Sequence, residues 1–105
     1  MVIVLFRSHL NANAGDDYAR MAEEMVATAK SMPGFVDFKS YEAEDGERLA
    51  VVRWADQETM AAWRAHSRHR EAQRLGREKW YDWYQIDVAE TVRGGSFERG
   101  ASEGN

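Results

Sequence analysis

The sequence predicts an α+β fold of ferredoxin-like βαββαβ order, in which a four-stranded antiparallel sheet carries two helices on one face. Three observations lead there. Segments dense in β-branched and aromatic residues stand at both ends of the chain; two helical periodicities separate them from a central pair of strands; and an Asp-Gly turn joins that central pair. The 105 residues leave room for one core, since domains cluster near about 100 to 150 residues.

Met1 to Leu10, MVIVLFRSHL, places apolar residues on both alternating faces until Arg7 and His9 interrupt one of them, so it reads as a strand buried on two sides. Asn11 to Asp17 is a polar loop ending in Asp16-Asp17, which suits a helix start, where carboxylates meet free amides and the positive end of the dipole. Tyr18, Met21, Ala22, Met25, Val26, Ala29 and Met32 then recur at spacings of three and four, with Arg20, Glu23, Glu24 and Lys30 opposite. That is an amphipathic helix. Pro33-Gly34 stops it, and Phe35 to Ala43 is the second strand. Glu44-Asp45-Gly46-Glu47 reverses the chain, because Asp-Gly tolerates positive φ, and Leu49 to Trp54 returns. Asp56 caps a second helix carrying Met60, Ala61, Ala62 and Trp63, which breaks near His66, restarts at Ser67 and continues to Lys79. Trp80 to Val92 is the last strand. The domain therefore spans residues 1–93. Residues 94–105 hold four of the eight glycines and little that can pack, and are expected to form a mobile tail.

Two helices cover only one side of a sheet. Yet the first strand sets Val2, Val4 and Phe6 against Ile3 and Leu5, and the last sets Trp80, Tyr84, Ile86 and Val88 against Tyr81, Trp83 and Ala89. The second side needs a cover, and another copy of the chain is the simplest one. A homodimer with sheets face to face and two-fold symmetry is expected.

Composition removes several classes of function. Without cysteine there is no disulfide scaffold, zinc ribbon, thiolate nucleophile or iron–sulfur cluster, and the absence fits a reducing compartment. No apolar run approaches the roughly 20 residues that cross a bilayer, and Val2 to Phe6 is too short for a signal peptide. A cytoplasmic protein with no membrane partner is expected. The net charge of −4 argues against nucleic acid as a partner, whose binding draws on phosphate neutralisation. GxGxxG, GxxxxGK[ST], HExxH and GxSxG are all missing.

Four groups of residues are able to carry chemistry. Arg64, Arg68, Arg70, Arg74, Arg77 and Lys79 outnumber Glu71 and Glu78, which makes either a solvated helix face or an attractor for an anionic substrate. His66 and His69 stand three apart without an acid at a third position, so no metal site is expected. Arg7 and His9 alternate onto one side of the first strand and either reach solvent or place a cation and a proton acceptor at a pocket mouth. Trp63, and the cluster Trp80, Tyr81, Trp83 and Tyr84, serve either as packing or as aromatic walls for a flat ligand.

Met32-Pro33-Gly34-Phe35-Val36, the strand end Val51-Val52-Arg53-Trp54, the helix with Glu58, Ala62, Trp63 and His66, and the later run HREAQRLGREKWYDWYQIDVAE together resemble the antibiotic biosynthesis monooxygenase (ABM) domain family over about Met1 to Arg93. The resemblance implies a dimeric α+β barrel. It also implies one of several reactions: cofactor-independent oxygenation of aromatic polyketides, haem degradation, or isomerisation and quinol oxidation. For the first, Trp63 matches the helix tryptophan that lines such pockets, while Thr59 stands where an asparagine is expected and donates one hydrogen bond instead of an amide pair. Haem degradation asks for an axial histidine where this chain has Gln73, and for an asparagine where Arg7 or Ser8 stands. The reading is thus a cofactor-free monooxygenase that brings molecular oxygen to a planar phenolic or quinol-like molecule. Trp63 is its wall and donor, Thr59, Arg7, His9 and Tyr81 surround the anion, and Phe38 and Tyr81 touch the substrate. A non-catalytic small-ligand-binding dimer, or an isomerase or lyase with His9 as base, are the alternatives.

Overall fold

The computed structural model describes residues 1–100. Its elements follow the expected order: β1 (Val2–Leu10), α1 (Asp16–Lys30), β2 (Phe35–Glu42), β3 (Arg48–Trp54), α2 (Gln57–Ala65), α3 (Ser67–Leu75), a π-helical turn (Gly76–Trp80) and β4 (Tyr81–Glu90). All strand pairs are antiparallel, in the order β2-β3-β1-β4. The fold is the ferredoxin-like α+β one.

Local chemistry accounts for most boundaries. Gly46 takes φ +90° in the β2–β3 turn, where Asp45 Oδ1 accepts from Glu47 N at 2.9 Å. Asp56 caps α2 by accepting from Thr59 N at 2.9 Å. The second helical stretch breaks where expected: His66 leaves helical geometry at ψ 134°, ends α2 and caps α3, and its Nδ1 accepts from Arg68 N at 3.1 Å. The helix restarts at Ser67 as expected, with His66 as its cap. Asp16 and Asp17 open α1 without capping it. Asp17 Oδ2 instead accepts from Trp80 Nε1 at 3.2 Å and Lys79 Nζ at 3.4 Å, tying α1 to the π-turn. Asn11 holds the same turn by donating Nδ2 to the carbonyl of Lys79 at 2.8 Å. Trp80 therefore ends a helical turn and does not begin the last strand.

Gly34 is required at the entry to β2. Its φ is +84°, and a Cβ there would overlap the Thr59 side chain at the start of α2. Gly34→Ala is expected to cost roughly 2–4 kcal/mol, combining left-handed strain with overpacking. Gly46→Ala should cost only about 1 kcal/mol, because its added carbon meets nothing closer than His9 Nε2 at 3.4 Å. Urea denaturation of the two variants measures the difference.

Pairing partners across a sheet share a face. The helix-facing side therefore carries Val2, Val4, Phe6 and Ser8 with Trp54, Val52, Phe38, Tyr84, Ile86 and Val88, and the bare side carries Ile3, Leu5, Arg7 and His9 with Val51, Leu49, Trp83 and Ala89. Tyr81 departs from the expected alternation. The β1–β4 register shifts between His9 and Leu10, so Tyr81 joins the helix side, with its ring 5.5 Å from that of Phe6. The core is small: Val2, Ala29, Trp54, Met60 and Trp63, packed by Val4, Met25, Met32, Phe35 and Val52. The helices leave even part of their own side open, since Ile86 and Val88 on β4 are exposed. Beyond Glu90 there is no helix or strand as far as Gly100, and the rest of the expected tail, from residue 101, lies outside the described residues. Among the described residues no helix is long and apolar enough to cross a membrane.

Candidate active site

Trp63 is the centre of the helix-side cluster. Met60 and Trp63, one turn apart on α2, are the residues of that helix buried on the sheet. The Trp63 ring stacks on Trp54 at 6.1 Å and 26°, and on its other flank lies 4.6 Å from the ring of His69 at 30°, with His66 at 5.9 Å. It is a core residue and an aromatic wall together.

The six residues nominated from the sequence do not converge. Thr59 sits one turn before Trp63, but its hydroxyl serves the α2 cap, donating to Asp56 Oδ1 at 3.0 Å. Tyr81 lies on the helix side in a ring cluster with Phe6, Tyr18 and Tyr84. Burial, followed by the neighbouring Tyr18, pushes its hydroxyl above the usual phenol range, so it is a neutral donor and not a phenolate. Phe38, half-buried, faces the helices opposite Val52. Arg7 and His9 are on the other face of the sheet. Arg7 forms a fork with Glu47, at 2.7 and 3.0 Å, and lies over the ring of Trp83. His9 Nδ1 is 3.1 Å from Asp82 Oδ2. Within one protomer neither side chain can share a site with Trp63, because the sheet stands between them. Strand alternation carried this signal, but it gives no sense of which face the helices take.

Two shallow clefts flank α3. One, of about 340 Å³, opens between α1 and the π-turn beside Asp17, Met21, Leu75 and Trp80; the other, of about 400 Å³, runs along α3 past Arg70, Gln73, Arg74 and Arg77. Neither is lined by a nominated residue. Half of the six cations in the basic stretch pair with acids of their own chain: Arg68 with Glu24, Arg74 with Glu71 and Glu78, and Lys79 with Asp17. Among the described residues no three His, Asp or Glu side chains are grouped to hold a metal ion.

Two residues gain weight that the sequence did not assign them. His69 is half-buried against Trp63, with Nδ1 3.4 Å from the carbonyl of Arg64. Desolvation, helped by the nearby charges of His66 and Arg64, holds its pKa below the ordinary imidazole value of 6.5. It is therefore neutral near pH 7. Trp54, at the end of β3, is fully buried, and its Nε1 has no hydrogen-bond partner. In the sequence His69 stood out only with His66 as a pair three apart, and Trp54 only as the end of a strand.

The sequence model of the antibiotic biosynthesis monooxygenase family matches residues 1–75. The chain belongs to this family. An uncharacterised protein of Bacillus subtilis, YqjZ, is 32% identical to this ABM protein over 100 residues, covering 95% of the chain and 87% of the relative. Among solved structures, an ABM protein of Deinococcus radiodurans superposes with a TM-score of 0.79 at 15% identity, covering 93% of this chain and 99% of that one. SnoaB of Streptomyces nogalater, described as a cofactor-independent oxygenase, gives a TM-score of 0.73 at 14% identity, covering 89% and 94% of the two chains. At such identities the structural likeness speaks for the fold.

Proposed function

We propose that this ABM protein is a cofactor-independent monooxygenase, working as a homodimer on a planar phenolic or quinol-like molecule. The observation that carries the reading is the neutral imidazole of His69 held against the indole face of Trp63. His69 accepts the phenol proton on Nε2 while the edge of the Trp63 indole borders the ring. The anion passes one electron to O₂, and the two radicals combine to a peroxide that recovers the proton. The O–O bond then breaks, the ring C–H proton leaves with the departing oxygen as water, and the carbon becomes a quinone carbonyl. In this scheme Thr59 supports the helix, and Arg7 and His9 belong to the dimer face.

The dimer rests on the uncovered sheet. The protomer presents 7341 Å² to solvent, against about 6000 Å² for a compact monomer of its mass. The segment after Glu90 and the bare sheet face both lie outside the core, and a standard interface takes roughly 800 Å² from each partner.

Oxygen uptake with a panel of dihydroxynaphthalenes and anthrones tests the catalytic claim. His69→Gln should lower kcat/KM by about 10²- to 10⁴-fold. The wild-type rate should fall on acidification only below pH 6.5, as the depressed pKa of His69 is crossed, and the variant should lose this limb. No uptake above a heat-treated control across the panel would favour a ligand-binding protein. One observation favours a second reading: the His9–Asp82 pair orients an imidazole on the bare face, as an isomerase base requires. Product formation under strict anaerobiosis, lost in His9→Gln, would select it.

A further inference from the structure

We infer that the indole N–H of Trp54 is a ligand-binding donor, which takes the oxygen of a planar phenol or carbonyl compound entering the core between β3 and α2. Trp54 is 0% exposed, and among the described residues its Nε1 is the one buried side-chain nitrogen or oxygen without a hydrogen-bond partner. Leaving such a donor unpaired is costly, and native cores seldom do so. The same chain satisfies its other deeply buried indole of comparable setting: Trp80, 3% exposed, donates Nε1 to Asp17. An unpartnered N–H at Trp54 is therefore not a general looseness of this core, and a phenylalanine there would fill much of the space without the orphan.

The surroundings suit an adaptable site. Trp54 packs edge-on to Phe35 at 5.7 Å and stacks on Trp63, and Met25, Met32 and Met60 complete the cluster. Thioether side chains change rotamer at little cost and re-pack around an incoming ring. Trp54, Trp63 and His69 follow one another as three neighbouring rings, the first offering a donor, the second a flat wall, the third an acceptor. The class of ligand rests on the oxygenase reading above; the donor itself rests on the unpaired N–H.

The test uses the full-length protein with ¹⁵N-labelled indoles, and 1-naphthol and naphthalene as probes that differ by one oxygen. The Trp54 indole resonance, identified by its loss in Trp54→Phe, should move downfield with 1-naphthol and stay within a small fraction of that shift with naphthalene. Trp54→Phe should bind 1-naphthol about tenfold more weakly and naphthalene unchanged, the latter also reporting that the variant is folded. If 1-naphthol leaves the Trp54 resonance in place up to millimolar concentration, or the resonance shows contact to a resident water only, the inference is wrong. It is equally wrong if Trp54→Phe keeps the wild-type preference for the oxygenated probe. Should the Trp54 resonance respond while no oxygen is consumed, the donor stands and the oxygenase reading fails. Oxygen uptake with a silent Trp54 resonance would keep the oxygenase reading and remove the donor.

Discussion

Trp63→Ala is expected to lower stability by about 3–5 kcal/mol and to abolish oxygen uptake. The stability loss follows from position: Trp63 is among the few buried side chains, stacked between Trp54 and His69, and α2 has little else than Met60 and Trp63 to hold it on the sheet. A domain of this size has a total stability of about 5–15 kcal/mol, so the thermal midpoint should drop by well over ten degrees, at roughly 4–8 °C per kcal/mol. Because unfolding by itself removes activity, Trp63→Phe separates the two effects. It keeps a ring in place, should retain most of the stability, and should lower kcat by more than it raises KM if the indole takes part in holding the anion. A Trp63→Phe enzyme with wild-type kcat would remove Trp63 from the chemistry and leave it as packing.

Leu5→Glu should convert the proposed dimer to a monomer of 12.0 kDa. Leu5 faces the bare side at the middle of β1, between Val51 on β3 and Asp87 on β4. In an isolated protomer a glutamate there meets water, so folding should be little affected. In a face-to-face dimer it sets one unpaired carboxylate from each copy into apolar surroundings, next to an existing aspartate, which is expected to cost several kcal/mol per interface. Light scattering across micromolar concentrations reads the mass, and circular dichroism checks the fold. A wild-type protein that is already monomeric in the same measurement would refute the dimer outright.

The order of elements, the positive-φ turn at Gly46, the cap at Asp56 and the break at His66 were all legible from residues close together in the chain. So was the apolar content on both faces of β1. The site was not. Arg7 and His9 look like neighbours of a pocket by alternation, but Glu47 and Asp82 engage them on the face away from Trp63. Thr59 looks free until its hydroxyl is found serving Asp56. Tyr81 changes sides because one register shift after His9 moves it.

By itself the sequence determined what neighbours along the chain decide: helical periods, caps, the hairpin, and two strands too apolar for one layer of helices. Only the tertiary structure decided which side chains meet, because those contacts join residues far apart, as Asp17 and Trp80 do across 63 positions. The orphaned N–H of Trp54 and the neutral imidazole of His69 belong to this second kind, since burial and the lack of a partner are properties of the packed interior and of no local pattern.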